Sequence, residues 1–395
     1  MNDIAPITTR RPTAAALRRA LRIAAMCADR STMRSLVLLR ILNKVLSIAG
    51  QDRQCSAHLV VDGNVDAPDG ELQVAPGLLA NLLGGLASEL TLSIAHGKLT
   101  ITDNGDTTMV LPGANPADDG PAVRDGDGGG YCTIPDAADL RRFISSFVFA
   151  IADDDNQYGL SGAHVELDAQ RRLRAIATDG NRLFLASVAA EGVTGVWPTY
   201  RLPPDKKGAA RRDQQALVSR RAWQVIAAAL VGAEGPVELV WGDRSLLVAC
   251  EDWSIRTRLL QAGFPDWRQV IPATFTHTLD ADRDALLVAL RRLAWAARSV
   301  GSPVAVRWTK GSMRLTASHV ATDGRCSATV AVPAAFDGAD DILLGVSAVF
   351  LRQALLALPP GPVRWEAGGP LAPMRLTSRV DDRGSWSILM PVRLD

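Results

Sequence analysis

The chain alternates between two hydrophobic rhythms, one of helix period and one of strand period. Residues 14–28 place Leu17, Leu21, Ala24 and Ala28 on one face and Arg18, Arg19 and Arg22 on another. That spacing predicts an amphipathic helix, with Thr13 as its N-cap. Val37 to Ile48 then alternates around Asn43-Lys44 and reads as a hairpin. The order recurs: Pro76 to Ala87 is apolar and helix-length, and Leu92 to Thr102 alternates around His96-Gly97. A third helix follows Asp136, with Leu140, Ile144, Phe147 and Ile151 at core spacing, ahead of strands at 163–167 and 173–178. Three further helix-then-hairpin pairs begin at Ser219, Arg283 and Ser347. The helix starts are about 62, 61, 82, 64 and 64 residues apart. Repetition at a fixed period decides architecture, because each copy is one supersecondary unit.

A coarser repeat pairs these units. Ala-Gly-Gln-Asp at 49–52 and Ala-Thr-Asp-Gly at 177–180 and 321–324 each follow the first hairpin of a pair. Gln-Cys-Ser-Ala-His at 54–58 also matches Arg-Cys-Ser-Ala-Thr at 325–329. The predicted fold class is α+β, with three domains of two half-units each, bounded at 1–129, 130–270 and 271–395. Linkers are expected in the Asp/Gly/Pro stretch from Pro116 to Gly130 and around Pro265 to Pro272. The Pro/Lys/Arg stretch from Pro203 to Arg212 reads as a surface loop.

Composition narrows the classes. The chain has 395 residues, 47% of them hydrophobic and 22% charged, which suits globular domains rather than disorder or fibrous repeats. Its 43 Lys and Arg against 42 Asp and Glu exclude a uniformly basic coat. The odd, scattered cysteines (Cys27, Cys55, Cys132, Cys250, Cys326) read as reduced thiols. The N-terminus has no signal-like apolar core, and Leu36 to Ile48 is interrupted by Arg40, Asn43 and Lys44. That stretch is far short of the ~20 residues that span a bilayer. A soluble cytoplasmic protein without membrane partners is the expectation.

Catalytic constellations are missing from the sequence. The five histidines lie singly, without His-x-x-x-His or His-x-x-Glu-His pairing. Gly126 to Gly130 follows no strand and precedes no Lys-Ser/Thr, so it fails as a phosphate loop. Asp153-Asp154-Asp155 lacks calcium-loop spacing. The Asp-Gly pairs at Asp179 and Asp323 read as turn formers. No catalytic residue, metal or cofactor is predicted.

Three segments then carry a resemblance. Ala-Thr-Asp-Gly-Asn-Arg-Leu at 177–183 resembles a signature of the bacterial DNA polymerase III beta subunit, the DNA sliding clamp family. Phe264-Pro-Asp-Trp-Arg-Gln-Val-Ile-Pro272 is similar to that family's segment between the second and third domains. Leu389-Met-Pro-Val-Arg-Leu394 is similar to its C-terminus, here extended by Asp395. The resemblance covers essentially the whole chain. It implies three clamp domains per chain and a head-to-tail homodimer closed into a ring, with helices lining the hole and antiparallel sheets outside. It further implies a non-enzymatic processivity factor that encircles duplex DNA without regard to sequence. Its expected partners are the DNA polymerase III catalytic subunit, a clamp loader and other proteins carrying a clamp-binding motif. The alternative reading is a clamp-like paralogue in repair or regulation that binds partner peptides without a stable ring.

Two site sets follow. By resemblance, a peptide-binding groove matches Leu160, Thr178, Gly180, Asn181, Arg182, Leu183, Pro265, Val270, Ser347, Phe350, Leu371 and Pro373. Ile388, Leu389, Met390, Pro391, Val392, Arg393 and Leu394 complete it. An apolar floor of Leu, Val, Met and Pro with Arg182 and Arg393 as rim donors would suit peptide capture. Asn181 stands where the family usually has His, and Phe350 where Tyr is common. For DNA, a sliding protein should offer diffuse positive charge to phosphates rather than contacts to base edges. The six helix windows carry 12 arginines against only Asp139 and Asp284, about +10, which leaves about −9 elsewhere. The DNA-facing set is Arg18, Arg19, Arg22, Arg30, Arg141, Arg142, Arg220, Arg221, Arg291, Arg292 and Arg352.

Overall fold

The computed structural model describes residues 11–28, 36–86, 89–103, 107–114, 129–153, 159–195, 216–297, 302–321, 324–338, 340–381 and 383–394. Among them are six α-helices, one in each predicted window and each shorter than its window. They are α1 (Ala14–Cys27), α2 (Pro76–Leu82), α3 (Ala137–Phe147), α4 (Arg220–Ala229), α5 (Arg283–Leu293) and α6 (Ala348–Ala357). Local chemistry fixes their starts. Thr13 Oγ1 accepts the Ala16 N–H at 3.1 Å, and Asp282 Oδ1 accepts the Ala285 N–H at 2.8 Å. Asp136 Oδ1 accepts the Ala138 N–H at 2.8 Å. α2 begins on Pro76, whose missing N–H costs nothing at a first turn.

The predicted hairpins form at the predicted turns. Asn43 and Lys44 have φ of 51° and 66°, and His96 and Gly97 have 52° and 70°. Left-handed residue pairs of this kind match the natural strand twist. Each hairpin also gains a third strand that the sequence pattern did not announce. In two of three pairs of half-units, Cys55–Asn64 and Arg182–Ala189 lie beside the hairpin and then pair onward into another one. The strand before every second helix turns back onto the first hairpin strand of its own pair. Gly70–Val74 pairs with Val37–Leu42, Ala216–Ser219 with Gly162–Leu167, and Ile342–Ser347 with Pro303–Thr309. The same connection therefore occurs three times along the chain.

The fold divides into two compact units. The first gathers Met1–Ala138, Glu191–Pro198 and Arg221–Leu259. Its nine-stranded antiparallel sheet contains a seam where Cys55–Asn64, from the first pair of half-units, joins Trp253–Arg258, from the second (Thr257 opposite Cys55). α1 lies on this sheet and buries Leu17, Leu21 and Ile23 beside Leu39, Ile41, Leu46 and Ile48. A separate three-stranded sheet runs from Leu90 to Pro112.

The second unit gathers Asp139–Ala190, Thr199–Arg220 and Leu260–Asp395 around a twelve-stranded sheet. It has its own seam: Arg182–Ala189 of the second pair joins Trp386–Leu389 of the third, with Leu183 opposite Ile388. The segment around Pro265 to Pro272, predicted as a linker, is packed onto this sheet instead. Trp267 is buried with Ile176, Leu183, Leu185 and Ile388, and Phe264, Ile271 and Trp386 pack around them. A linker containing Phe, Trp, Val and Ile has too much apolar surface to be left in water.

Candidate functional site

Residues 177–183 are shaped by Asp179. Its Oδ1 accepts the N–H groups of Asn181 (3.0 Å) and Arg182 (3.2 Å) in an Asx turn. Thr178 Oγ1 donates to the Arg182 carbonyl at 2.6 Å and accepts the Gly180 N–H at 3.1 Å, and Gly180 adopts φ of 87°. The signature is thus a closed turn that presents Gly180 and Asn181 to solvent and turns Arg182 inward.

Arg182 corrects the sequence reading. Expected as a rim donor, it is 9% exposed. Its Nε donates to Asp179 Oδ2 at 2.9 Å, Nη1 to Gln353 Oε1, and Nη2 to the Phe149 carbonyl at 2.6 Å. The guanidinium also stacks against Phe350 (4.3 Å to the centroid) and Phe149 (5.0 Å). Burial pulls its pKa below the usual arginine value, and Asp179 opposes that pull. A guanidinium so enclosed fixes the turn and the aromatic rings packed against it. Phe149, Gln353 and the carboxylate of Asp179 were missed by the sequence reading. Of these only Asp179 carried a signal, and it read as a turn former.

The C-terminal segment docks beside this turn. Met390 N–H donates to the Asn181 carbonyl at 2.9 Å, and Val392 N–H donates to the Gly345 carbonyl at 2.9 Å. A Cβ on Gly345 would lie 2.0 Å from the Val392 carbonyl oxygen, so only glycine lets the tail approach so closely. Gly345 stands two residues before Ser347, which is buried, its Oγ without a hydrogen-bond partner among the described residues. The tail therefore joins Asn181, Ser347 and Phe350 into one neighbourhood. Leu183, Ile388 and Leu389 are buried beneath it.

The other expected groove residues reach it through their segments. Leu371 and Pro373 precede Met374, whose strand partner is Leu389. Gly159 lies so close to the Gly263 carbonyl that a Cβ there would approach it to 2.3 Å, which brings the segments of Leu160 and Pro265 together. The surface left open is apolar: Leu371 is 66% exposed, Val270 41%, Met390 37% and Leu394 36%. Arg393 and Pro265 are also exposed. The connector behind them is pinned by Phe264 stacked on His164 (5.3 Å) and by Arg268, which pairs with Glu166 at 3.2 Å.

The basic helix residues separate into two groups. Arg22, Arg141, Arg291, Arg292 and Arg352 are exposed and make no ion pair with described residues. Arg18 is also exposed, with only its Nε turned back to the Ala14 carbonyl at 3.3 Å. The other described ones are engaged by groups of the protein, Arg142 while still largely exposed. Arg142 pairs with Asp139, and Arg220 with Asp153. Arg19 Nη2 donates to the Ala229 carbonyl at 2.8 Å, at the end of α4. Arg221 Nη2 donates to the Met26 carbonyl near the end of α1 and contacts Asp52 Oδ2, each at 2.6 Å. Counting arginines overstated the free charge, because helix C-terminal carbonyls and nearby carboxylates attract guanidinium groups. Arg30 lies outside the described residues, as does Asp323.

Comparison with known proteins agrees along nearly the whole chain. No family model matches it. The beta sliding clamp of Pseudomonas putida is 24% identical over 358 residues, covering 91% of each chain. A DNA polymerase sliding clamp of Pseudomonas aeruginosa superposes with a TM-score of 0.80 at 24% identity, covering 97% of this chain and 98% of that one. The DNA polymerase III beta subunit of Thermotoga maritima also gives 0.80, at 20% identity over 97% and 99% of the two chains.

Proposed function

We propose that this chain, a sliding-clamp family protein by sequence likeness and fold, is a DNA sliding clamp. It would encircle duplex DNA and tether DNA polymerase III and other partners through a peptide-binding groove. The observation that carries this reading is the likeness to beta sliding clamps over nine-tenths of both chains, reproduced in three dimensions with a TM-score of 0.80. Three clamp domains, 1–129, 130–270 and 271–395, belong to the reading, as do a cytoplasmic location and a non-catalytic role. No helix among the described residues is long and apolar enough to cross a membrane.

The strand pairing supports a head-to-tail homodimer. At both internal seams, the third strand of one domain's first half-unit pairs with the third strand of the next domain's second half-unit. The same rule leaves two unused edges. Among the described residues, Thr108–Pro112 pairs only with Lys98–Asp103, and residues 324–333 pair only with Ser312–Ala321. These are the positions at which one chain would join another. Unpaired edges are ready templates for such pairing, and a heterologous contact closes a ring when the rotation permits. Val110, 54% exposed on the first edge, would be covered.

The exposed arginines on the helices would meet phosphates. A DNA contact of this kind weakens as salt rises, because each neutralised phosphate releases counterions. For the groove, Leu371, Val270, Met390 and Leu394 offer the apolar side of a short peptide site above the rigid Arg182 turn. A clamp of Pseudomonas aeruginosa related to this chain has been solved bound to griselimycin. Loading by an ATP-dependent clamp loader completes the reading. The paralogue reading gains weight from Arg19, Arg220 and Arg221, whose guanidinium groups are held by carbonyls and carboxylates of the protein.

Solution mass separates the two. The ring reading expects a particle of about twice 42.1 kDa, converted to single chains by Val110→Asp. A wild-type protein that stays at the mass of one chain at micromolar concentration would remove the ring and leave the paralogue.

A further inference from the structure

In the first unit, Cys27 ends α1 and Cys55 opens the seam strand Cys55–Asn64. Both thiols are buried, and their sulfurs lie 3.1 Å apart. A disulfide needs about 2.05 Å between sulfurs, so each atom has only about half an ångström to travel. From this geometry we propose that Cys27 and Cys55 are an oxidisable pair, closed to a disulfide by a hydroperoxide, that staples α1 to the seam strand of the first unit.

One neighbour favours the thiolate and the others oppose it. Arg221 holds the carbonyl of Met26, the residue before Cys27, and contacts Asp52, three residues before Cys55. A guanidinium at this place favours the attacking thiolate. The hydrogen bond with Cys55, burial and the nearby Asp52 carboxylate outweigh it and push the Cys27 thiol far up, so the pair rests reduced. Cys27, Ala28 and Cys55 are all buried, so the oxidant reaches the pair by local opening at the end of α1. The chemistry balances. The thiolate of one cysteine attacks a peroxide oxygen and breaks the O–O bond, giving a sulfenic acid and, after protonation, water. The second thiol attacks the sulfenic sulfur and expels a second water. Two thiols and one hydrogen peroxide thus give one disulfide and two waters.

The test uses full-length protein carrying Cys250→Ser and Cys326→Ser, which removes the two cysteines that are not buried. After mild hydrogen peroxide, intact mass should fall by about 2 Da per chain, the loss of two hydrogens in a disulfide. A non-reducing tryptic digest should join the peptide 23–30 to the peptide 54–98. The oxidised protein should melt several degrees higher, about 5 °C, because the cross-link restricts the unfolded chain. The gain should vanish with dithiothreitol and be missing in Cys27→Ser and in Cys55→Ala, either of which serves if the other folds poorly. The proposal is overturned if Cys27 and Cys55 stay alkylatable in the denatured oxidised protein. It is equally overturned if they carry only added oxygen, or if the cross-link forms without raising the midpoint.

Discussion

The two internal seams use one design with different side chains. At each, an aspartate closes a turn just before the seam strand: Asp52 accepts the N–H groups of Gln54 and Cys55, and Asp179 those of Asn181 and Arg182. Each turn residue then receives a backbone hydrogen bond from the partner strand, Arg258 to Gln54 at 2.8 Å and Met390 to Asn181 at 2.9 Å. At both, a guanidinium bridges that aspartate and a carbonyl at the end of the preceding helical segment, Met26 or Phe149, 2.6 Å away. The source of the guanidinium differs. In the second unit it comes from Arg182 on the seam strand itself and is sandwiched by Phe149 and Phe350. In the first it comes across the seam from Arg221 of α4, while Arg19 of α1 returns the favour at the end of α4.

Cys55 occupies the place of Arg182, and the comparison shows what that exchange does. Without its own arginine, the first seam fastens two helices to each other and leaves two thiols in contact. With it, the second seam is closed by its own strand, and Arg182 draws Phe350 and Gln353 of α6 against the turn that the tail meets. The closed Arg182 turn, the docked tail and the exposed Leu371, Val270, Met390 and Leu394 occur together at the second seam, where the groove is proposed.

The largest effect is expected from Arg182→Ala. It strips Asp179 and Gln353 of a buried partner and should cost about 3–5 kcal/mol in chemical denaturation. Peptide binding should be lost with it. Arg221→Ala should cost less, about 1–2 kcal/mol, because its side chain is 36% exposed and solvent screens the pair. Equal losses would mean that the two guanidinium sites are not the same device. Cys55→Arg should be harmful alone, since it crowds a second charge against Arg221, and milder in combination with Arg221→Ala. The coupling in that double-mutant cycle is expected at about 1–3 kcal/mol; additivity would show that the positions are not interchangeable. Gly345→Ala should displace Val392 and weaken peptide affinity about tenfold, while the circular dichroism spectrum and melting midpoint barely move. An unchanged affinity would detach the tail from the groove.

Much of this was legible beforehand. The six helices and most of their hairpins follow from spacing, because the helices have an apolar face and the hairpins alternate around turns such as Asn43-Lys44, His96-Gly97 and Gly311 at positive φ. Gly162–Leu167, buried at five successive positions, is the exception. The third strands were harder. Arg182–Ala189 is buried at seven successive positions, so it has no alternation to read. The linker at 265–272 misled because prolines at its ends outweighed Phe264, Trp267 and Ile271, which are what anchor it. The groove residues were placed by resemblance, and the structure brings their segments together, yet it shows Arg182 in a different role. A sequence displays that an arginine is present, not whether its donors face water or a carbonyl across a seam. The repeat itself shifted by one position, since Asp52 is the counterpart of Asp179 and not of Gly180, as the strand pairings of Gln51 with Ser56 and Thr178 with Leu183 show.

Encirclement is the claim on which the rest depends, and retention on DNA of different topology tests it most directly. Protein loaded onto a nicked circular plasmid should remain bound through gel filtration at moderate salt and slide off once the plasmid is linearised. Reversing charge at Arg22, Arg141, Arg291, Arg292 and Arg352 should lower loading more steeply as salt rises, while the circular preference remains. Equal retention on circular and linear DNA, or none on either in the presence of a loader, would contradict the account.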